Sequence, residues 1–435
     1  MTTPSICCNA GPLPRYKVGT REGLPYENMA TEAPVKRGSV LVSAAVGAAL
    51  TPLNSTMVAV ALPALSMEFS APAARVTLLV VTGYLIATIV AQMPAGVVAD
   101  RAGYARALTW GRWTFGLGAA IGMLAPSLAI VVVGRLLMAA GGALIIPTAM
   151  SLVRIAVPVE RRPRAFGIMG SVMGGAAAIG PALGSWMTEH LGWRSLFLIN
   201  VPLLLVSWMV QPRVAEERTA ARGRQFGYLA LFRNRAFMAG AGVISTQNLA
   251  MYSLLIQVPF LFGGGGGADA GLGLAIIAMT FTMAATSPLG GWLAEWVGVK
   301  LIVSAGGLIG AVGVIGLGAL PSSAAPKAVA LRLLIVGFGL GLSTGPANAA
   351  AISAVPQEQS GIASATLSML RYFGAIAGTV ILSLAFAPGS DGAARQHLAL
   401  WAFVAALIVS AVLGVILPPL PGQRYFRPRA SARAN

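Results

Sequence analysis

Long apolar runs, separated by short polar gaps, follow one another from residue 38 to residue 418. A helix needs about 20 apolar residues to cross roughly 30 Å of hydrocarbon, and twelve runs are about that long. The first six lie near 38–64, 76–99, 105–126, 128–153, 164–187 and 194–211. The second six lie near 236–262, 269–289, 299–320, 328–354, 361–387 and 395–418. We therefore predict an all-α polytopic membrane protein of two six-helix bundles.

The polar segments around these two sets predict the domain organisation. The segments are an N-terminal tail (1–37), a first bundle (38–211), a linker (212–235), a second bundle (236–418) and a C-terminal tail (419–435). The N-terminal tail has no apolar core, which is typical of a cytoplasmic tail and not of a secretory signal. Met29, close to the first apolar run, is an alternative start to Met1.

The distribution of Lys and Arg predicts the orientation. With both termini placed in the cytoplasm, 22 of the 30 basic residues fall in inner segments and 4 in outer segments. The remaining four lie inside predicted spans and are Arg112, Arg135, Arg332 and Arg371. Because cytoplasmic loops are enriched in Lys and Arg, we expect a multi-pass protein of the plasma (inner) membrane with both termini cytoplasmic.

Composition excludes several other classes of protein. Only 10% of the residues are charged, against about 25% in an average soluble chain. The net charge of +17 would suit a nucleic-acid binder, but the basic residues occupy short gaps and form no continuous face. Cys7 and Cys8 are adjacent and form no metal-ligand pattern. We expect a monomer in a lipid bilayer that acts on a small molecule, without enzymatic activity, cofactor, metal or nucleic-acid partner.

The two predicted bundles repeat one another in sequence. Three segments of the first bundle have a counterpart in the second bundle at nearly the same separation along the chain. The pairs are GVVADRAG from Gly96 with GWLAEWVG from Gly291, RLL at Arg135 and Arg332, and AVP at Ala156 and Ala354. Two similar halves of six helices are typical of a transporter that rocks around a central site.

Several of these segments have a recognisable sequence. They are LNSTMVAVALP from Leu53, GVVADRAG from Gly96, RLLMAAGGALIIP from Arg135, GPALGS from Gly180, GWRSLFLINVP from Gly192 and LFRNRAF from Leu231. On these segments the chain resembles the major facilitator superfamily (MFS), and within it the drug:proton antiporter branch, usually built with fourteen helices. The resemblance implies the MFS fold and secondary export of small organic compounds, with protons as the candidate coupling ion.

The segment after the second span predicts a conformational gate. Gly96 and Gly103 are expected to permit a tight turn and close approach, with Arg101 and Arg106 beside it. Asp100 is expected to cap a neighbouring helix and to pair with an arginine across the half, holding the inner side shut. The alternative is a plain loop cap. In the second half the corresponding acid, Glu295, is a weaker copy of Asp100.

Two buried arginines are candidates for substrate binding or coupling. A cation at the depth of Arg135 costs at least a few kcal/mol unless it is paired or faces water. Arg371 lies inside a later span. The alternative for each is an arginine bonded to carbonyls for packing, whereas Arg112 and Arg332 are expected to extend their charge to the interface. An uncompensated Arg135 would favour an anionic or acidic substrate.

The expected proton-coupling group is absent. Members of the resembled branch commonly have Asp in helix 1 where this chain has Asn54, and Asn54 cannot titrate. None of the 13 carboxylates falls at mid-depth in a predicted span. Coupling has therefore either moved to Glu189 and His190 or been lost. Two functions are therefore compatible with the sequence, namely export of small organic compounds and exchange of an anionic metabolite without proton coupling.

Further polar residues and one glycine motif complete the candidate site. The polar and aromatic residues deep in spans are Asn54, Tyr84, Gln92, Gln247, Asn248, Tyr252, Asn348 and Tyr372. For each, contact with a ligand and an interhelical hydrogen bond are the two interpretations. In helix 5, Gly180, Pro181 and Gly184 form an antiporter-like motif that we expect to seal against a helix of the other half.

Overall fold

The computed structural model describes residues 37–210, 228–262, 270–385 and 392–419. Cys7, Cys8, both tails beyond these ranges and most of the predicted linker lie outside them. Every element within the described ranges is helical. The statements below refer to this part of the chain.

The first half contains six principal helices. They are α1 (Arg37–Val60), α2 (Gly83–Ala102), α3 (Tyr104–Met123), α4 (Leu128–Ala156), α5 (Arg162–Leu191) and α6 (Asn200–Met209). A short helix, Ala73–Thr77, and a π-helical turn, Leu78–Thr82, lead into α2. A further turn of helix, Ser195–Leu198, leads into α6.

The second half repeats this arrangement. Its helices are α7 (Arg235–Phe262), α8 (Ala270–Val297), α9 (Val299–Gly318), α10 (Pro326–Ser353), α11 (Ser360–Ala385) and α12 (Gly392–Ile416). In the described ranges, nine helices are long and apolar enough to cross a membrane, and the Ser195–Met209 segment is apolar but shorter. The remaining two, α3 and α7, are 20 and 28 residues long, and the predicted all-α architecture of twelve helices in two halves is confirmed.

Equivalent helices make equivalent contacts in the two halves. In the first half α1 packs against α5, and both α2 and α3 pack against α4. In the second half α7 packs against α11, and both α8 and α9 pack against α10. The turn after α2 contains Gly103, with φ 90° and ψ 144°, and the turn after α8 contains Gly298, with φ 102° and ψ 148°. Only glycine adopts such angles readily, so the sequence repeat is also a backbone repeat.

The halves meet through α2 against α11 and through α5 against α8 and α10. These contacts concentrate at the end of the bundle that holds Asp100, Arg154 and Ser360, which we call the linker end. There Gly167 of α5 lies so close to Ser287 of α8 that a Cβ atom would overlap its carbonyl oxygen. Small residues therefore allow the halves to close against each other at this end.

The outer surface of the bundle is apolar, and it carries most of the tryptophans. Large hydrophobic side chains are exposed along most of the twelve helices, as expected for a surface in contact with lipid. Six of the eight tryptophans are exposed, and they are Trp110, Trp113, Trp186, Trp292, Trp296 and Trp401. Indole rings prefer the headgroup level of a bilayer, and Trp186, Trp292 and Trp296 lie within the last two turns of their helices.

Candidate functional site

Arg135 is the centre of a polar cluster in the first half. Its side chain is 0% exposed, and its Nη1 donates a short hydrogen bond to Oδ1 of Asn54 on α1. Its Nε donates to the carbonyl oxygen of Val80 at 3.3 Å. The guanidinium carbon lies 3.9 Å from the ring centroid of Tyr84, a cation–π contact. The structure therefore brings together three of the residues that the sequence offers as candidates, Asn54, Tyr84 and Arg135.

This cluster solvates the guanidinium without neutralising it. Asn54 uses its other amide atom, Nδ2, to donate to the carbonyl oxygen of Leu196 at 3.4 Å. Nη2 of Arg135 is buried and has no hydrogen-bond partner. An amide, a carbonyl and a ring face supply partial negative charge only, so the buried cation still carries a large desolvation cost.

A second cluster, around Arg371 of α11, occupies the other half. Nη2 of Arg371 donates to Oδ1 of Asn348 on α10 at 3.3 Å, and Nδ2 of Asn348 donates to the carbonyl oxygen of Thr344 at 2.7 Å. Arg371 and Tyr372 are half-buried, and Tyr252 is 39% exposed. The second cluster is therefore more accessible than the first.

The tyrosines bring the two clusters together. Tyr84, which lies beneath Arg135, is within electrostatic range of Tyr372 in the other half. Tyr372 and Tyr252 interact in the same way with Arg371. The candidate site therefore spans both halves and contains two guanidinium groups and three phenol rings.

Carboxylates are distant from this site. The described ranges contain six, and they are Glu68, Asp100, Glu160, Glu189, Glu295 and Glu358. Within these ranges, no acidic residue forms an ion pair with Arg135 or Arg371, whereas Glu68 pairs with Arg194 at 3.0 Å. The same part of the chain has no group of three residues of the kinds that hold a metal ion.

Glu189 and His190 lie apart from the Arg135 cluster. Both are exposed near the end of α5, where the His190 ring stacks on Trp186 and its Nδ1 lies 2.9 Å from the Trp186 carbonyl oxygen. Gly180 packs beside Leu53, next to Asn54 in α1, and Glu189 is nine residues further along α5. That spacing is about 13 Å along the helix axis.

The other polar candidates have different environments. Nε2 of Gln247 donates to Ser343 at 2.8 Å and to Ser410 at 3.0 Å, which joins three helices of the second half. Asn248 bonds to its own helix through the Ile244 carbonyl oxygen at 2.8 Å. Gln92 is 0% exposed, and its amide oxygen and nitrogen have no hydrogen-bond partner.

Asp100 closes the linker end by capping α11. Its carboxylate accepts hydrogen bonds from the backbone N–H groups of Gly361 at 2.7 Å and Ile362 at 2.9 Å. It also accepts from the Tyr104 hydroxyl at 2.7 Å. A carboxylate at a helix N-terminus is stabilised by free N–H donors and the helix dipole. The structure places Asp100 at this cap, and Arg154 of the same half is close enough to the carboxylate for an electrostatic interaction.

The residues around Asp100 differ in their roles. Gly96 belongs to α2, not to the turn, and a Cβ atom there would lie 2.8 Å from that of Ala365 in α11. Gly103 makes the turn itself. Arg101 and Arg106 are exposed beside it. The expected tight turn therefore needs one glycine, and the other serves the approach of α2 to α11.

Arg154 is part of the linker-end contact and was not among the predicted site residues. Its Nη1 donates to the Ser360 hydroxyl at 2.6 Å and to the Pro356 carbonyl oxygen at 3.2 Å. Its Nη2 donates to the Val355 carbonyl oxygen. In the sequence Arg154 is one of several basic residues near a loop, and no local signal separates it from them. Arg112 also differs from expectation, since it is 1% exposed and donates to Ser43 at 2.6 Å.

Tyr228, in the short helix Tyr228–Arg233 before α7, also lies at the linker end. Its hydroxyl donates to the Met93 carbonyl oxygen in α2. Burial and the nearby carboxylate of Asp100 raise the pKa of Tyr228 to about 12. The phenol is therefore a neutral donor at physiological pH.

Glu295 lacks the bonds that Asp100 makes. It lies one turn beyond Gly291, which packs against Pro163 and Arg164 at the start of α5. One oxygen of Glu295, Oε1, is buried without a hydrogen-bond partner. Proline has no backbone N–H, so residue 163 cannot donate the bond that the start of α11 donates to Asp100.

The glycine motif of α5 packs within its own half, which corrects the expected seal. A Cβ atom at Gly180 would overlap Thr56 of α1, and one at Gly184 would lie 2.9 Å from Cα of Met57. Pro181 lies between them inside the helix. The contact with the other half involves the beginning of α5 instead, because the motif lies toward the opposite end of that helix.

Comparison with known proteins identifies the fold and several relatives. The family model of the Major Facilitator Superfamily matches residues 44–379. The crystal structure of a human organic anion transporter superimposes with a TM-score of 0.70 at 16% identity, covering 87% of this chain and 99% of that one. At this identity the likeness establishes the fold.

The sequence relatives differ in what they transport. A multidrug resistance protein of Mycobacterium tuberculosis is 25% identical and covers 82% of this chain and 77% of its own. A riboflavin transporter of Clostridioides difficile is 22% identical, with 80% and 88% covered. A tetracenomycin C resistance and export protein of Streptomyces glaucescens is 36% identical over 167 residues, which are 38% of this chain and 31% of that protein.

Proposed function

Because the chain belongs to the Major Facilitator Superfamily, we propose that it is a secondary active transporter that exports small organic compounds, including drugs or antibiotics. The observation that carries this proposal is the polar site that spans both halves of an otherwise apolar bundle. Rocking of the two halves would expose such a site to each side of the membrane in turn. The multidrug resistance and tetracenomycin export relatives support export as the direction.

We further propose that the linker end faces the cytoplasm, as do both termini, in the plasma membrane. The excess of Lys and Arg at the segments of this end supports this orientation. The domain organisation proposed above, with bundles at 38–211 and 236–418 between tails and a linker, follows from the same assignment. Closure of the two halves at the linker end would then separate the site from the cytoplasm, so that a compound reaches it from the outside.

The proposed coupling is proton antiport with an altered coupling site. Asn54 holds Arg135 in the place where a carboxylate would exchange a proton. Glu189 and His190 are the remaining acid and imidazole pair, and they are exposed at the end of α5, apart from the Arg135 cluster. A coupling role for them requires the transported compound or water to connect the two places.

A second candidate function is facilitated or exchange transport of an anionic metabolite without proton coupling. One observation favours it: the site has two guanidinium groups, and no carboxylate of the described residues contacts them. The riboflavin transporter among the relatives shows that members this similar also serve metabolites. Both candidates use the same site, and they differ in the source of energy.

An accumulation assay separates the two candidates. Cells that express the chain are loaded with labelled compounds, and retention is measured with and without an uncoupler of the proton gradient. Proton-driven export predicts low retention that rises when the uncoupler is added. Exchange predicts that the amount of labelled compound retained does not change with the uncoupler, and that it falls when unlabelled compound is added outside. Retention equal to that of cells without the protein under every condition would contradict both.

A further inference from the structure

The two clusters contain more positive charge than their protein partners compensate. Arg135 is completely buried, and its Nη2 lacks a hydrogen-bond partner, while Arg371 has one amide contact. Within the described ranges no carboxylate forms an ion pair with either group. A guanidinium within a membrane helix normally pairs with an anion or faces a water-filled cavity. An anion from outside the protein would supply the missing partner.

The aromatic side chains of the site also favour a ligand of a particular shape. Arg135 contacts the face of Tyr84, and Tyr372 is within electrostatic range of both Tyr84 and Arg371. Tyr252 is exposed beside Arg371. Phenol rings stack well on flat aromatic bodies, and arginine binds carboxylates and other oxyanions through two parallel donors.

We propose that Arg135 and Arg371 together bind the transported compound as an organic anion, with its aromatic body between the tyrosines of the two halves. This inference rests on the proposed transport function and specifies its substrate class. A cation would face two guanidinium groups with no carboxylate to balance them, so it is rejected. Because residues of both halves contact the compound, its binding would also favour the state in which the two halves lie close together around the site.

Two dyes with one skeleton test the preference for charge. Fluorescein is an anion at neutral pH, and rhodamine 123 has the same xanthene body with a positive charge. The full-length chain, purified in a neutral detergent, is titrated into each dye while fluorescence anisotropy is recorded. We expect fluorescein to bind at least about ten times more tightly, since one charge-assisted hydrogen bond accounts for a factor of that order.

Substitutions assign the preference to the two arginines. Arg371→Gln and Arg135→Gln should each weaken fluorescein binding about tenfold or more and leave rhodamine 123 binding unchanged or stronger. Arg332→Gln is the matched control, because Arg332 is a half-buried arginine of α10 beside Gly316, outside both clusters. If Arg135→Gln does not fold, the half-buried Arg371 provides the decisive variant, and Arg371→Lys should retain part of the affinity.

Reconstituted vesicles separate this inference from the proposed function. Arginine-dependent binding of fluorescein without transport of either dye would support the anion site and contradict transport. Transport of both dyes at equal rates would support transport and overturn the anion site. Equal binding of the two dyes, or an equal loss in Arg332→Gln and Arg371→Gln, would also overturn it.

Discussion

At the scale of single residues, Asn54 determines the charge of the site. Its amide oxygen accepts a hydrogen bond from Arg135 as a carboxylate would, but it leaves the guanidinium uncompensated. The sequence could indicate both residues, because a polar side chain deep in an apolar run is conspicuous. It could not indicate Arg154 or the burial of Arg112, because their partners lie on helices far along the chain.

Asn54→Asp should convert the site from anion binding to proton dependence. The new carboxylate would lie at hydrogen-bond distance from Arg135, neutralise it and add a group that can exchange a proton. We expect fluorescein affinity to fall about tenfold and transport in vesicles to respond to an imposed pH gradient. Asn54→Ser is the control, since it removes the amide without adding charge. An unchanged response of Asn54→Asp to the pH gradient would contradict the prediction.

At the scale of helices, glycines mark close approach more often than turns. The sequence pattern predicts that the span near 269–289 ends before Gly290, yet α8 continues to Val297. Gly290 and Gly291 lie inside that helix, where they contact α10 and α5. The predicted end of this span was therefore wrong, because the hydrophobic pattern does not distinguish a glycine that packs against another helix from a glycine that ends a helix.

Gly96→Val should open the linker end. The added side chain would overlap Ala365 of α11, and overpacking of this kind costs about 1–3 kcal/mol. A cysteine in place of the fully buried Ser364 of α11, with Cys7 and Cys8 replaced by serine, reports the opening through its rate of thiol modification. We expect a faster rate. Gly175→Val is the control, because a Cβ atom there meets nothing within 4 Å. Equal rates in the two variants would contradict the prediction.

Pro163→Ala should strengthen the weaker closure at α5 and α8. Alanine would give position 163 a backbone N–H at the start of α5, which packs against Gly291 one turn before Glu295. A hydrogen bond from it to the unpaired oxygen of Glu295 would contribute about 1.5–3 kcal/mol. We expect a higher unfolding temperature in detergent and slower transport, because the closed state becomes more stable. The same substitution in a Glu295→Gln background should stabilise much less. An equal gain in both backgrounds would mean that proline strain, and not the new bond, explains the effect.

At the scale of the whole molecule, the hydropathy pattern predicts the helical architecture well. It does not predict which end of the bundle is closed. Twelve apolar runs and their repeats suffice for two six-helix halves, because each span must bury its own backbone hydrogen bonds in lipid. Which end of the molecule is closed depends on contacts such as Asp100 with Gly361, made between residues 261 positions apart. Such contacts leave no periodic signal in the sequence.

The proposed orientation predicts which loops are accessible from outside the cell. Ser323, between α9 and α10, and Glu358, between α10 and α11, are both exposed and lie at opposite ends of α10. With Cys7 and Cys8 replaced by serine, a single cysteine at position 323 should react with an impermeant maleimide on intact cells. A cysteine at position 358 should react only after permeabilisation. The reverse result would place the linker end outside.

The placement of the tryptophans has a spectroscopic consequence. Indoles dominate the ultraviolet emission of a protein, and six of the eight here are exposed on the apolar outer surface, whereas the rings of the candidate site are phenols. The wavelength and intensity of that emission should therefore change with the lipid that surrounds the bundle, and change little when a compound binds at the candidate site.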